Sequence, residues 1–336
     1  MQSLFYDRAT NADNALALGR QTNARFIAGG TNLLDLLKGD VEHAGRLIDL
    51  NRAGMQTIST TADGGLRIGA LARNSDTANH ALVRQHYPLL SQALLSGASA
   101  QLRNMATTGG NLMQRTRCYY FTDTAFEHCN KRVPGSGCAA REGVTRVHAI
   151  LGASEACIAT NPSDMNVALA ALNAVVVVRG ANGERRIPIA EFHRLPGDQP
   201  QFDNTLASGE LITAVDLPPS DYAAHSHYLK VRDRSSYAFA LVSVAVALAL
   251  RDGAVTSAAI ALGGVAHKPW RLPSAEAGLL GLRPGTAAFA HGSAATADAL
   301  LAGAKGATGN QFKVALAHRS IVRALQRAGQ STGAVA

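Results

Sequence analysis

"RFIAGGTNLLDLLKGD", residues 25–40, reads as a short strand, a Gly29–Gly30 turn and an amphipathic helix opening near Asn32. A glycine turn that opens a helix leaves backbone N–H groups pointing outward and clears side chains from their approach, which suits a pyrophosphate. Taken alone, a Gly-Gly pair between strand and helix is more often just a tight turn. A second glycine turn, "ATTGGNL" at 106–112, strengthens the case, since each turn sets Thr and Asn beside its glycines. Neither has the spacing G-x-G-x-x-G, which argues against a nicotinamide-binding domain of the Rossmann type.

Around these turns the chain alternates irregularly between periods. "RLIDLN" and "GLRIGALARN" are short strand candidates, and "HYPLLSQALLSGASAQLRN" has helical spacing. "SDMNVALAALNA" carries a cap signal at Ser163, and "AVVVVRGANGERRIPI" is a hairpin pattern. "LPPSDYAAHSHY" marks a linker, which divides the chain into expected domains at 1–222 and 223–336. In the second, "ALVSVAVALAL" and "VTSAAIALGGVA" flank Asp252-Gly253, the strongest hairpin signal in the chain, and "QFKVALAHRSIVRAL" is a terminal helix. The Ala- and Gly-rich stretch 281–309 reads as a mobile segment, and the N-terminal stretch before residue 25 as helical. Strands and helices do not alternate regularly, so the expected class is α+β.

The 336 residues, 47% of them hydrophobic, are enough for a large core and more than one globular unit. A net charge of +8 raises the question of an anionic partner. Scattered Lys and Arg, 5% aromatics and no zinc-finger or RNP-like pattern oppose nucleic acid, whereas a phosphate-bearing cofactor or an acidic subunit fits. The longest apolar run, 238–250, is too short to cross a bilayer, and the first twenty residues lack the pattern of a secretory signal.

All four cysteines fall within a forty-residue window, spaced C-x10-C-x8-C-x18-C at Cys118, Cys129, Cys138 and Cys157. Random placement would give this roughly once in a hundred sequences, so the clustering needs a cause. No C-x-x-C knuckle favours a zinc ribbon, and a chain of this size does not need disulfide staples. Four thiolates can also ligate one [4Fe–4S] cluster, one per iron, without fixed spacing if a loop folds round it. Gly135, Ser136 and Gly137 would let amides approach cluster sulfurs, while Tyr119, Tyr120, Phe121 and Phe126 would shield them from water. His128, beside Cys129, is taken as a surface or supporting residue rather than a ligand.

"FIAGGTNLLDLLK", "ATTGGNLMQRTRC", "NPSDMNVALAAL", "YLKVRDRSSYAFALVSVA" and "ALGGVAHKPWR", in this order and spacing, resemble the FAD-binding subunits of the xanthine oxidase family of molybdenum hydroxylases. Within that family the resemblance is to the flavin and iron–sulfur subunits of periplasmic aldehyde oxidoreductases, and it covers essentially the whole chain. It implies an FAD domain of the p-cresol methylhydroxylase type followed by a smaller α+β C-terminal domain. FAD would be bound by the first turn, Phe26, Ile27, Ala28, Gly29, Gly30, Thr31, Asn32, Leu33 and Leu34, and by Thr108, Gly110 and Asn111 of the second. Asp164, Leu211 and Lys230 fall on further cofactor-binding positions. Read without the family, Asp164 is a first-turn helix acid and Lys230 a solvated strand residue.

The resemblance also favours the cluster reading. Ordinary xanthine dehydrogenases lack the insertion at about 115–157, whereas the aldehyde oxidoreductase flavin subunits carry a similar one with a [4Fe–4S] cluster on cysteines matching all four here. The family reaction, aldehyde oxidation with water, occurs on a molybdenum cofactor subunit, so no catalytic residue is expected on this chain. Electrons would arrive from a [2Fe–2S] subunit of a heterotrimer and leave FAD for an external acceptor. The implied compartment is the periplasm, reached as a folded complex on a partner's signal; the alternative is the cytoplasm. Rival readings are a stand-alone flavin oxidoreductase with a zinc or disulfide insertion, the flavin subunit of a different molybdenum hydroxylase, and a scaffold subunit with decayed sites.

Overall fold

Three sheets organise the protein, whose computed structural model describes residues 3–330. The ends of both expected domains, residues 1–2 and 331–336, lie outside the described residues. Strands Phe5–Arg8, Arg46–Asp49 and Ala24–Ile27 form a small parallel sheet with Arg46–Asp49 in the centre. Helices Ala12–Gly19 and Leu33–Lys38 make its crossovers. The N-terminal stretch therefore contains a strand before its helix; Phe5 and Tyr6 are exposed, so no buried face marked that strand in the sequence.

A five-stranded antiparallel sheet follows, ordered Ile58–Thr60, Leu66–Gly69, Leu211–Leu217, Val175–Gly180 and Gly183–Pro188. Ser163 caps the helix Asp164–Ala171 as expected, accepting a hydrogen bond from the Asn166 N–H. That helix is buried along its length, which is why it reads as apolar on every face.

The C-terminal sheet is antiparallel, ordered Trp270–Arg271, Ala254–Gly263, Val242–Arg251 and Ser226–Val231, with the hairpin turn at Asp252 (φ 52°) and Gly253 (φ 76°). Its two long strands are buried on both faces. Val242, Val244, Val246, Leu248, Ile260 and Leu262 pack against the terminal helix Phe312–Gln330 through Ala317, Ile321, Ala324 and Leu325. The alternate residues Ala245, Ala247, Ala259 and Ala261 belong to the core of the FAD-type half, with Leu90, Ala93 and Met165. Period-two alternation thus separates large side chains on one face from alanines on the other, and the alanines let helices Pro88–Ser96 and Asp164–Ala171 approach the sheet closely.

The segment expected to be mobile is instead structured. Residues Ala287–Leu300 form a helix capped by Thr286, whose side chain accepts from the Phe289 N–H, and Phe289, Ala297 and Leu300 enter the C-terminal core. Alanine is the best helix former, so the composition that looks like low complexity is also strongly helical once one face has a partner.

Candidate functional site

Gly30 adopts φ 73°, a left-handed conformation that glycine reaches without steric cost, and so lets the strand Ala24–Ile27 turn directly into the helix Leu33–Lys38. Residues 26–34 are all half-buried. Among the described residues the N–H groups of Gly29, Gly30, Thr31 and Asn32 have no acceptor on the chain. Four successive unpaired amides beside a helix start are donors available to an anion.

Gly29 has a second role. A β-carbon there would overlap the Met105 carbonyl, so the first turn sits directly against the entrance to the second. Arg73 fastens this contact by donating to the Met105 carbonyl and, at 3.0 Å, to Asn51 Oδ1; Asn51 Nδ2 in turn donates to the Ala28 carbonyl at 2.9 Å. The two glycine turns, about eighty residues apart in sequence, are neighbours.

The second turn differs from the first in what it offers. It is a short helix, Thr108–Leu112, whose amides are already used: Thr108 N–H donates to Ala72 O, Gly109 N–H to Ala70 O, Gly110 N–H to Thr107 Oγ1 and Asn111 N–H to Thr107 O. The Thr108 hydroxyl is buried on the Ala72 carbonyl at 3.2 Å, Gly110 is exposed, and Asn111 Oδ1 accepts from Ser163 Oγ at 2.8 Å. The row of free amides therefore belongs to the first turn alone; the second supplies shape and side chains.

Through Ser163 the second turn meets the expected Asp164. Asp164 Oδ2 receives Lys230 Nζ at 2.7 Å and its Oδ1 receives the Tyr228 O–H at 2.7 Å, while Lys230 also donates to the Ser96 carbonyl at 3.1 Å. Lys230 is thus a buried ion-pair partner rather than a solvated strand residue. Tyr228 was not singled out by the sequence; burial, followed by the Asp164 charge, pushes its hydroxyl well above the ordinary tyrosine value. Leu211 is buried in an apolar cluster with Ile48 and Leu50, against which Phe26 and Ala28 also pack, so it lies beneath the first turn rather than in the row of donors.

A cleft of about 290 Å³ on the five-stranded sheet, lined by Asp63, Arg67, Arg186 and Asp216, contains no residue of either turn.

The four cysteines converge. Cys118, Cys129 and Cys157 are buried in one apolar cluster with Tyr120, Phe121 and Ile158, and Cys138 packs against it. Cys129 and Cys138 face each other across an isolated antiparallel bridge, and none of the four is in a disulfide. Burial pushes the Cys118 thiol up to about 12 and the Cys157 thiol to about 11; Cys157 and Cys129 add to the first effect, Cys138 and Cys129 to the second. Leu36 and Val41 belong to the same cluster, so the insertion packs on the helix that follows the first glycine turn. Arg117, next to Cys118, donates to Asn32 Oδ1 at 2.6 Å.

Several details of the insertion depart from the sequence reading. Tyr120 and Phe121 shield the thiols, but Tyr119 and Phe126 are exposed. The Ser136 and Gly137 amides donate within their own hairpin, to Val133 O and Asn130 Oδ1. The Ala159 N–H lies 3.4 Å from Cys157 Sγ, and the Phe121 and Tyr120 amides act on the Cys118 thiol. His128 is exposed and contacts the Ser136 carbonyl. Sequence reasoning missed His148, whose Nε2 lies 3.1 Å from Cys118 Sγ, and Lys131, whose buried Nζ binds Asp203 Oδ1 at 2.6 Å. Arg115 joins Asp203 Oδ2 at 2.7 Å and Glu42, tying the insertion to both flanks. Among the described residues no group of three or more His, Cys, Asp or Glu is arranged to hold a single metal ion.

Comparison with known proteins covers both halves of the chain. Residues 2–220 match the family model for the FAD binding domain in molybdopterin dehydrogenase, and residues 227–328 that for the CO dehydrogenase flavoprotein C-terminal domain. The chain is 52% identical over 330 residues to the aldehyde oxidoreductase FAD-binding subunit PaoB of Escherichia coli, covering 98% of this chain and 99% of that one. It is 30% identical to the glyceraldehyde dehydrogenase medium chain of Sulfolobus acidocaldarius, covering 82% and 80%. A chain of the reconstituted CO dehydrogenase from Oligotropha carboxidovorans has the same fold, with a TM-score of 0.76 at 22% identity over 98% of this chain and 99% of that one.

Proposed function

The chain belongs to the FAD-binding subunits of the molybdopterin-dependent dehydrogenases, and from that premise we propose that it is the flavin and iron–sulfur subunit of a molybdenum-dependent aldehyde oxidoreductase. Aldehyde oxidation would take place on a molybdenum cofactor subunit. A [2Fe–2S] subunit would complete the heterotrimer and deliver electrons to this chain, which would pass them to an external acceptor. Bound FAD supplies the needed chemistry, since flavin takes electrons singly from iron–sulfur centres and releases them singly or in pairs.

The residues of this chain would bind and orient. The free amides of Gly29 to Asn32 suit the FAD pyrophosphate, and the contact of Gly29 with Met105 sets the spacing between the two turns. The Asp164–Lys230 pair joins the helix Asp164–Ala171 to the strand Ser226–Val231 and so holds the C-terminal half over the first.

Cys118, Cys129, Cys138 and Cys157 would hold a [4Fe–4S] cluster. Supporting this are four thiols gathered at one apolar cluster and free of disulfides, with burial opposing ionisation of Cys118 and Cys157 when metal is absent. A cuboidal cluster also spreads its ligand sulfurs more widely than a single ion does, so a poor site for one ion is compatible with it. Buried Lys131 lowers the cost of negative charge at Cys157.

The observation that carries the reading is the double use of the helix Leu33–Lys38: it follows the row of free amides, and its Leu36 lies in the cysteine cluster. Both proposed redox groups thereby share one short support. Anaerobic addition of an aldehyde to the complex should bleach the flavin only when the molybdenum subunit is present; bleaching by a nicotinamide in the chain alone would favour a stand-alone oxidoreductase. The proposed compartment is the periplasm, reached as a folded complex on a partner's signal, and cell fractionation tests it.

A further inference from the structure

We propose that His148 is a positioning residue for the cysteine cluster: its Nε2–H donates to the Cys118 sulfur and makes a cluster bound there easier to reduce. This rests on the four-thiolate reading above. His148 Nε2 lies 3.1 Å from Cys118 Sγ, well within hydrogen-bond reach of sulfur, and the residue is 1% exposed. A coordinated thiolate has no proton to give, so the shared proton must sit on Nε2. The other ring nitrogen, Nδ1, is buried without a partner, consistent with a bare lone pair on that side.

The ring is held from several directions. The backbone N–H of His148 donates to the Thr145 carbonyl at 2.9 Å, and the ring tilts against Tyr120 at 6.1 Å between centroids. Its carbonyl accepts from Lys313 Nζ at 2.8 Å and from Asn310 Nδ2 at 3.1 Å. Lys313 is fully buried and also donates to the Gly264 carbonyl, so the start of the terminal helix Phe312–Gln330 clamps the segment carrying His148. The C-terminal half therefore fixes the backbone that carries the imidazole, and burial beside Tyr120 confines the ring next to Cys118. Among the described residues Cys118 is the thiol with a side-chain donor on its sulfur; Cys157 has only the longer contact from the Ala159 amide.

A hydrogen bond to a ligand sulfur strengthens as that sulfur gains negative charge, so it favours the reduced cluster over the oxidised one. The reduction adds one electron to the cluster, supplied in the test by an external reductant, and the His148 proton stays on Nε2. Outer donors of this kind orient a ligand and tune its metal group without binding it.

The test uses the full chain, purified anaerobically, as the parent, His148→Leu and His148→Gln. Iron and FAD are quantified, and the EPR signal of the reduced cluster is followed in a redox titration. Both variants should keep the parent's iron-to-FAD ratio. The cluster of His148→Leu should be roughly tenfold harder to reduce, about 59 mV more negative for a one-electron couple, and His148→Gln, which can still donate, should recover part of the shift. A parent-like potential in His148→Leu with full iron overturns the inference alone, as does loss of iron from both variants, which would make His148 a ligand or a support of the fold. A parent without iron overturns the four-thiolate reading first, and this inference with it.

Discussion

Lys230 Nζ lies 2.7 Å from Asp164 Oδ2, with the two side chains 4% and 8% exposed, so a lysine of the C-terminal half forms a buried ion pair with the first turn of a helix in the FAD-type half. Removing one member of such a pair leaves the other charged and unpaired in a dry site, which typically costs about 3–5 kcal/mol. Lys230→Met should therefore lower stability by that order and release FAD more readily, as read by denaturant unfolding and by FAD per folded chain. An unchanged unfolding midpoint and flavin occupancy would mean that the pair supports neither.

The close approach at Gly29 makes a sharper local prediction. Gly29→Ala places a methyl group on the Met105 carbonyl, a backbone atom that cannot swing aside, so the two glycine turns must separate. Most bound FAD should be lost. Gly45→Ala is the control, since a β-carbon there meets only Asn23 Cβ at 3.5 Å, an ordinary contact. Equal FAD content in the two variants would contradict the contact.

Asp203 gives a pH dependence. Burial alone would raise its carboxyl, but Lys131, Arg115 and His267 outweigh burial and hold it at about 2, below the ordinary 3.8. A carboxyl depressed on folding stabilises the protein fully above its unfolded value; the contribution, about 2 kcal/mol, is lost as pH falls from about 4 towards 2. Asp203→Asn should be less stable than the parent at pH 7 and converge on it in acid. Parallel stability curves for the two proteins across that range would show that Asp203 is not the titrating group.

For the insertion, Cys129→Ser or Cys138→Ser should remove or convert the bound cluster while most FAD remains, because neither cysteine touches the glycine turns. Iron and flavin analysis of each variant decides this, and a full iron complement in both would sink the four-thiolate assignment.

What the sequence disclosed was the local part. Gly30, Ser163 and the Asp252-Gly253 turn each act within a few residues, through a left-handed φ or a cap, and their signals read correctly. The second glycine turn resembles the first in sequence, yet Thr107 and the Ala70 and Ala72 carbonyls take its amides, and those acceptors are fixed only by tertiary packing. The helix Ala287–Leu300 was hidden for a similar reason: its apolar stripe is mostly alanine, and its order comes from packing on the terminal helix Phe312–Gln330. The contacts around the cysteines were the least legible. His148 reaches Cys118 across 30 residues and Lys313 reaches the His148 carbonyl across 165, so no spacing rule connects them.

The central claim is that one chain carries both a flavin and a four-thiolate iron–sulfur cluster, and the most direct test is metal and flavin quantification on the anaerobically purified full chain, with its EPR spectrum after reduction. The account predicts about one FAD and about four irons per chain, with the signal of a reduced [4Fe–4S] cluster. Zinc in place of iron, or a flavin-loaded chain whose four cysteines are paired as disulfides, would contradict it.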